Sequence, residues 1–439
     1  MALYDHPNTP GVKLVEKSLL PPSIVQVSTA IPVFLGYTQD NYPAAAADAK
    51  AVRISSLKDY EDTFGKGHSY TFSYTQTGSD FTVTKPDMDF FLYESIRLYF
   101  MNGGGACYII SLGDTSTNPS STDFQSGLDL IDKLDEPTLI SFPEAVYLDH
   151  VQYGVVASKA MDICGQLKDK FTLVDSPNDL DLKDFDTNSS VGLSEFRGTL
   201  SGSASYGAVY YPPLETTVKV AVDETGFPGL QTADYRTLMT EIDKVAGITI
   251  PPSALLAGVY ARVDREKGVW KAPANMALQG VIKPEKQISD ADQNHLNVDA
   301  DSGKSVNALR EFSGKGTVVW GARTLDGNSN EWRYINVRRL FITVEESVKK
   351  ATSQFVFENN DAKTWVKVNS MITSYLNGLW KDGGLLGAAP DEAYFVEVGL
   401  GTTMTQDDIL NGKMIVRIGL AAVRPAEFII LEFSHFINQ

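Results

Sequence analysis

Between Val337 and Gln439 the spacing of the apolar residues changes from helical to alternating, and this change limits what the segment can fold into. A first run with steps of three and four residues predicts a helix over about 338–352 with one buried face. A second run predicts another helix, with a capping residue within 359–361 and a glycine pair at 383–384 that ends it. The segment therefore begins as a pair of helices.

The apolar runs after these helices are typical of strands. Residues 393–398 form a short apolar run, and in 413–420 apolar and polar residues alternate, as in a sheet buried on one face. The last run, 427–436, is strongly strand-forming but has no later strand as a partner, so it must pair with an earlier strand or with another molecule. The residues of this run that would make such contacts are Phe428, Ile429, Ile430, Leu431, Glu432 and Phe433.

Residues 1–22 are predicted to be an arm rather than a domain. A turn signal at residues 9–11 precedes one isolated strand at 12–19, and the prolines at 21–22 end it. This strand also has no local partner. The residues proposed for contacts with another subunit are Val12, Lys13, Leu14, Val15 and Glu16.

Strands and helices alternate through the middle of the chain. The predicted strands are 106–112, 137–142, 171–175 and 208–211, and the helices between them are 123–134, 151–168 and 190–200. Strands separated by helices of this length imply a parallel sheet with right-handed crossovers. The fold class is therefore α/β (mixed α+β), with a parallel-sheet middle region and a two-helix, mixed-sheet C-terminal domain. Residues 66–90 and 214–247 fit as insertions, the first of them hairpin-like around Gly78.

The composition limits which classes of molecule can be partners of the chain. The chain has 439 residues and a formal net charge of −17, which disfavours nucleic acid and anionic membranes as partners. Cys107 and Cys164 match no metal or redox spacing and are expected to be buried apolar residues in a reducing compartment. Neither a signal peptide nor an apolar run long enough for a membrane span is present, so the expected location is the cytoplasm.

A search for catalytic chemistry finds no complete constellation. The five histidines contain no i, i+4 pair. Residues 301–305 end like a phosphate loop, but Val298 stands where that loop needs glycine. Residues 290–294 have the spacing of calcium ligands, but His295 occupies the turn position, which favours a solvated loop. No cofactor, no metal and no enzymatic activity are expected.

Arg262, Asp264 and Arg265 form a cluster of mixed charge, and Trp270 follows them closely in the sequence. A salt-bridge and packing patch between subunits explains this composition better than a solvated face. Two function classes remain open: a structural polymer subunit, and a cytosolic α/β enzyme or binding protein with an unrecognised site. Unpaired strands at both ends favour the polymer, because each can add to a neighbour's sheet, and head-to-tail exchange of this kind generates a helical array.

Several blocks in order resemble one protein family. The blocks are WGARTL at 320–325, YINVRRL at 334–340, FVFENND at 355–361, LWKDGGLLG from 379 and RPAEFIILEF at 424–433, together with 9–38, 170–177, 210–213 and 250–275. They resemble the contractile tail sheath proteins of phages and phage-like injection particles. The resemblance covers nearly the whole chain, with the two insertions as exceptions.

That resemblance implies a structural protein and a set of partners. It implies a helical homopolymer of six-fold rings around an inner tube protein, attached to baseplate and terminal cap proteins, and it allows paralogous sheath subunits in the same particle. It implies contraction by rigid-body movement of subunits, with the arms flexing at Pro21, Pro22 and Pro425. It further implies assembly in the bacterial cytoplasm into a phage tail or a tail-like particle, released or docked at a membrane. The run from Ser28 to Tyr37 favours an extracellular injection system over a phage tail.

The expected domain order combines these interpretations. An N-terminal exchange arm at 1–22 precedes the first part of the core at 23–65, an insertion at 66–90, the α/β core at 91–213, an insertion at 214–247, a C-terminal sheath domain at 248–425 and a C-terminal exchange strand at 426–439.

Overall fold

A computed structural model describes residues 23–40, 50–116, 118–180, 182, 192–227, 230 and 232–428. The strands are β1 Pro32–Thr38, β2 Ala51–Ile54, β3 Ser69–Tyr70, β4 Ser73–Thr77, β5 Asp80–Thr84, β6 Cys107–Asp114, β7 Leu139–Ser141, β8 Phe171–Val174, β9 Gly207–Tyr211, β10 Leu214–Lys219, β11 Ala221–Val222, β12 Gly247–Ile250, β13 Val281–Pro284, β14 Val306–Phe312, β15 Gly316–Val319, β16 Tyr394–Val398 and β17 Val416–Leu420. The helices are α1 Leu57–Phe64, α2 Leu92–Met101, α3 Ser121–Leu128, α4 His150–Leu167, α5 Leu193–Thr199, α6 Thr232–Val245, α7 Ser253–Lys267, α8 Asp290–Asn297, α9 Ile335–Thr352, α10 Ala362–Lys381, α11 Pro390–Ala393 and α12 Gln406–Leu410.

The described residues divide into two compact units. The larger unit contains residues 26–347, 383–386 and 422–428, and the smaller contains 23–25, 348–382 and 387–421. These boundaries differ from the predicted domain order, because residues 248–347 belong to the same unit as the α/β core. Long-range pairing of β14 with β9 joins them, and such pairing leaves no trace in local composition.

The larger unit is built on an eight-stranded sheet with the order β15-β14-β9-β8-β7-β1-β6-β2. The six strands from β14 to β6 are parallel, while β2 and β15 are antiparallel edges. This confirms the predicted parallel sheet. All seven residues of β1 are buried, and since successive side chains point to opposite faces, both faces of the sheet are covered.

The two predicted insertions fold against each other. Hairpin β4–β5 turns at Gly78, whose φ of 66° requires glycine-like freedom. Strand β3 of the first insertion pairs in parallel with β11 of the second. The ring centroids of Tyr74 and Phe227 lie 5.8 Å apart, and Lys85 Nζ donates to the carbonyl of Gly247 at 2.6 Å.

The structure confirms the helix pair and the strands predicted for the C-terminal region, with most of α9 in the larger unit and α10, β16 and β17 in the smaller unit. Helix α10 begins after Asp361, whose side chain accepts from Thr364 N at 2.9 Å. Strands β16 and β17 pair antiparallel from Tyr394 opposite Leu420 to Val398 opposite Val416. None of the helices in the described ranges is long and apolar enough to cross a membrane.

Helix α7 has 15 residues, and its apolar face packs on α2 and the sheet. One local prediction was wrong. Residues 290–294 were expected to form a solvated loop, but they begin α8. The cause is a capping box, in which Ser289 accepts from Asp292 N while the Asp292 carboxylate accepts from Ser289 N.

Candidate functional site: the arm roots and an open two-stranded sheet

The C-terminal segment is fixed to the larger unit up to Glu427. Ala422 forms an isolated antiparallel bridge with Leu385, and the carbonyl of Val423 accepts from Asn336 Nδ2 at 2.9 Å. The Glu427 carboxylate accepts from Arg323 Nη2 at 2.6 Å. Its other donors are Asn297 Nδ2 at 3.0 Å and the Tyr334 hydroxyl at 3.2 Å.

Electrostatics make Glu427 a strong attachment point. Burial by itself raises the pKa of Glu427, but hydrogen bonds from Arg323 and Asn297 and the charge of Arg323 lower it by more, so the pKa lies below its ordinary value. Arg323 is nearly buried. The next residue, Phe428, is 71% exposed. The segment thus passes from a fixed ion pair to an exposed aromatic side chain.

The N-terminal segment is fixed to the same unit from Val27 onward. Val27 N donates to Ser347 Oγ at 3.1 Å, and the carbonyl of Thr29 accepts from Arg339 Nη2 at 2.8 Å. The carbonyl of Ile31 then accepts from Thr138 N at 2.8 Å as the chain enters β1. Ser347, Arg339 and Asn336 all lie on α9, so both segments attach to one helix.

The predicted arm residues fall mostly outside the described ranges. This applies to Val12, Lys13, Leu14, Val15 and Glu16, to Pro21 and Pro22, and to Ile429, Ile430, Leu431, Glu432 and Phe433. Pro425 is described, and it lies between Val423 and Glu427, which are both bonded to the larger unit. A pivot at Pro425 would break these bonds, which argues against the predicted hinge at this residue.

The predicted patch is partly satisfied inside the subunit. Asp264 accepts from Arg339 Nη1 at 3.0 Å and from Nη2 at 2.5 Å, with both side chains at most 5% exposed. Asp264 is therefore not available for a salt bridge to a neighbour, which corrects its predicted role. The other patch residues remain more accessible: Arg262 donates to the carbonyl of Ala277, Arg265 is exposed, and Trp270 is half-buried.

The buried pair of Arg339 and Asp264 was missed in the sequence, as was the pair of Arg323 and Glu427. Burial by itself lowers the pKa of Arg339, but the charge and hydrogen bonds of Asp264 raise it by more, so the net pKa lies above its usual value. One signal in the sequence could have revealed the pair of Arg339 and Asp264. Arg339 occupies a buried position of helix α9, and a buried arginine requires a partner inside the protein.

The smaller unit presents a sheet with open edges. Within the described residues, β16 and β17 pair only with each other. A two-stranded sheet is marginal by itself, and its outer edges can pair with added strands. The side chains of Phe395 and Ile415 are exposed at and beside this sheet.

Exposed apolar side chains are concentrated in the smaller unit. Val356, Val366 and Leu410 are largely exposed, and Phe357 is fully exposed with a φ of 71°, a backbone conformation that is unfavourable for a bulky residue. Exposed apolar surface of this kind marks contact with other molecules.

The strand order identifies where a ligand would bind if the chain were a doubly wound enzyme. In such sheets the crevice opens where the strand order reverses, here at the carboxyl ends of β1 and its neighbours. Glu144 fills this place and accepts from Tyr37 N at 2.6 Å and from Phe91 N and Leu92 N at 2.8 Å. The cavity beside it measures about 10 Å³, room for one water. No cluster of metal-ligating residues occurs within the described ranges.

Glu144 and its neighbour Glu94 predict a pH dependence of stability. Burial raises the pKa of Glu144 to about 8 and that of Glu94 to about 7, from 4.5. Between pH 4.5 and 8 the folded state therefore binds more protons than the unfolded state, and the free energy of unfolding falls as pH rises. We expect a melting temperature several degrees higher at pH 5.5 than at pH 8.5.

The variant Glu94→Gln provides the control, because Glu94 Oε2 has no hydrogen-bond partner among the described residues and a neutral amide fits the same space. This variant should reduce the difference between the two pH values. An equal melting temperature at both pH values in the unsubstituted protein would contradict the assignment.

Comparison with known proteins gives consistent matches over nearly the whole chain. The family model for the phage tail sheath protein central domain matches residues 184–325, and that for the phage tail sheath C-terminal domain matches residues 328–435. The sheath protein of the extracellular contractile injection system PVC, solved as a contracted sheath complex, is 35% identical, with 97% of each chain covered and a TM-score of 0.69.

Two further relatives agree. A chain from the baseplate of the anti-feeding prophage is 36% identical, with 98% of this chain and 99% of that chain covered and a TM-score of 0.69. The tail sheath protein of Vibrio phage KVP40 is 29% identical over 136 residues, which are 31% of this chain. That match spans 20% of the length of the phage protein.

Proposed function

This chain belongs to the phage tail sheath family and is a contractile sheath subunit, and from that premise we propose that it serves in an extracellular contractile injection system rather than in a phage tail. Support comes from the two injection-system chains, which match over nearly their full length. The phage relative matches over a fifth of its length.

In this proposal the subunits polymerise by exchanging terminal strands. The N-terminal residues before Val27 and the C-terminal residues after Glu427 are donated to neighbours. The open edges of β16 and β17 in a neighbouring subunit accept them and gain backbone hydrogen bonds. Two observations together carry the proposal. The terminal segments are bonded to the larger unit at Val27 and Glu427, and the outer edges of the two-stranded sheet have no partner strand among the described residues.

The resulting array is a stack of six-fold rings around an inner tube, joined to baseplate and cap proteins, with room for paralogous sheath subunits. It assembles in the bacterial cytoplasm, in a particle that is released or docked at a membrane. Contraction shifts many identical interfaces from a metastable arrangement to a more stable one, as rigid-body movements of subunits. If each subunit gains about 1 to 3 kcal/mol of stability on contraction, the sum over many subunits is a large mechanical output. Contraction in this proposal therefore requires no nucleotide hydrolysis.

Negative-stain microscopy of the native particle tests this function. We expect headless sheathed rods that attach to a baseplate and that exist in long and short forms. Rods attached to a capsid would assign the chain to a phage tail. A small closed oligomer with no rods would contradict the sheath function itself.

Arg262, Arg265 and Trp270 are proposed to contact a neighbouring subunit. Trp270→Ala should therefore reduce assembly strongly and lower the free energy of unfolding by less than about 3 kcal/mol, the lower end for a fully buried Trp. The backbone carbonyl of Trp270, which accepts from Asn336 Nδ2 at 2.8 Å, is unchanged by this substitution.

Urea denaturation of the isolated subunit and microscopy of assembled rods measure the two effects of Trp270→Ala. Phe357→Ala, a change at a fully exposed side chain of the smaller unit, is a useful comparison for subunit stability. Normal rods from the Trp270 variant, or a collapse of subunit stability, would show that Trp270 is not an interface residue.

A further inference from the structure

Helices α7 and α9 of the larger unit are joined by two contacts close to each other. Arg339 on α9 forms the buried ion pair with Asp264 on α7. Asn336, one helical turn earlier on α9, donates from Nδ2 to the carbonyl of Trp270, which follows α7, at 2.8 Å. These four residues are called the α7–α9 clamp below.

Each of the two α9 residues in the clamp also holds one terminal segment. Arg339 Nη2 donates to the carbonyl of Thr29 at 2.8 Å as well as to Asp264. Asn336 Nδ2 donates to the carbonyl of Val423 at 2.9 Å as well as to Trp270. The same side chains that join the helices therefore fix the N-terminal and the C-terminal segments.

The clamp is also fixed to the core of the unit. The Arg339 guanidinium lies 4.6 Å from the centre of the Tyr260 ring, and the Tyr260 hydroxyl is 2.6 Å from that of Tyr210 on β9. From Asn336 to Ser347, which holds Val27, α9 extends about 16 Å. Both arm roots thus lie along a short stretch of one helix that is held against the sheet.

We propose that the α7–α9 clamp couples the two arms of one subunit, so that a displacement of one arm is transmitted to the root of the other. The coupling rests on the proposed function, because the arms experience a mechanical force only when their strands are paired with neighbouring subunits. In a sheath it gives each subunit a direct path along which contraction passes from one neighbour to the next.

The substitution Asp264→Asn tests the coupling, because the hydrogen bonds of Asp264 go to Arg339 and, among the described residues, none goes to a terminal segment. It removes the charge that pairs with buried Arg339 and should loosen Arg339 and the helix contact together. Hydrogen exchange of the isolated subunit, read by mass spectrometry, should become about tenfold faster or more at both 27–31 and 422–427. The matched control is Glu266→Gln, at an exposed position of the same helix, which should change neither.

A second variant keeps the test decisive if Asp264→Asn does not fold. Asn336→Ala removes an uncharged side chain that donates to the carbonyl of Val423, whereas the donor to Thr29 is Arg339, and it should also accelerate exchange at 27–31. Faster exchange confined to 27–31 in the first variant, or to 422–427 in the second, would overturn the coupling. Because the isolated subunit is measured, this result is independent of whether it forms rods, which microscopy reports separately.

Discussion

Removal of residues 429–439 is expected to leave a folded subunit that forms no sheath. The truncated chain keeps Glu427, and with it the ion pair to Arg323 that fixes the end of the larger unit. What it loses is the strand proposed to pair with β16 or β17 of a neighbour. Each backbone hydrogen bond in such a joint contributes about 1 kcal/mol net, so loss of a whole strand should abolish a durable contact.

Circular dichroism reports folding of this variant, and electron microscopy reports assembly. Removal of residues 1–20 should have the same effect, because the segment from Val27 onward keeps its bonds to α9. Inserting a few flexible residues before Pro21 is the matched control, since it retains the strand and should permit rods. A truncated subunit that unfolds, or that still forms normal rods, would contradict strand exchange.

Glu427→Ala is expected to destabilise the subunit by about 3 kcal/mol, because it leaves Arg323 nearly buried without its carboxylate. The pKa of Glu427 is lowered in the folded state. The stabilisation is therefore present above pH 4.5, the unfolded value, and is lost as pH falls through the folded value. We further expect rods from this variant to be fewer and more fragile, because the C-terminal arm would no longer be fixed at the point where it leaves the larger unit.

Urea denaturation at pH 7 measures this effect. The control is Glu397→Ala, which breaks an exposed pair with Arg417 and should cost under about 1 kcal/mol. Replacing Arg323 by Met and Glu427 by Leu together should restore much of the stability, since neither charge is then left unpaired. A loss for Glu427→Ala no larger than for the control would show that the ion pair does not fix the arm.

Local patterns were sufficient for most of the secondary structure. The step of three and four residues gave α9 and α10, and the caps and glycines at their ends follow rules that act within a few residues. Alternation of strands and helices also predicted the parallel sheet, because crossover connections leave few other arrangements. Helix α8 was missed because a single capping box outweighed the apparent loop signal.

The arms themselves were predicted from the sequence, whereas the places that hold them were not. An unpaired strand is visible as an apolar run without a local partner, so residues 12–19 and 427–436 could be proposed as joints directly. The partners of their roots lie far away in the chain: Arg339 and Thr29 are 310 positions apart, and Arg323 and Glu427 are 104 apart. No local spacing encodes such a pair.

The sequence by itself thus determined most of the elements and the family, and it led to the proposal of two donated strands, since these depend on periodicity and on motifs in order. Only the tertiary structure decided that Asp264 is bound inside the subunit, that Pro425 lies between fixed residues, and that the segments next to both predicted arms attach to α9. The physical reason is that burial and hydrogen bonding of a charged group depend on what the fold brings against it. The packing of the whole unit decides which groups surround each charged side chain.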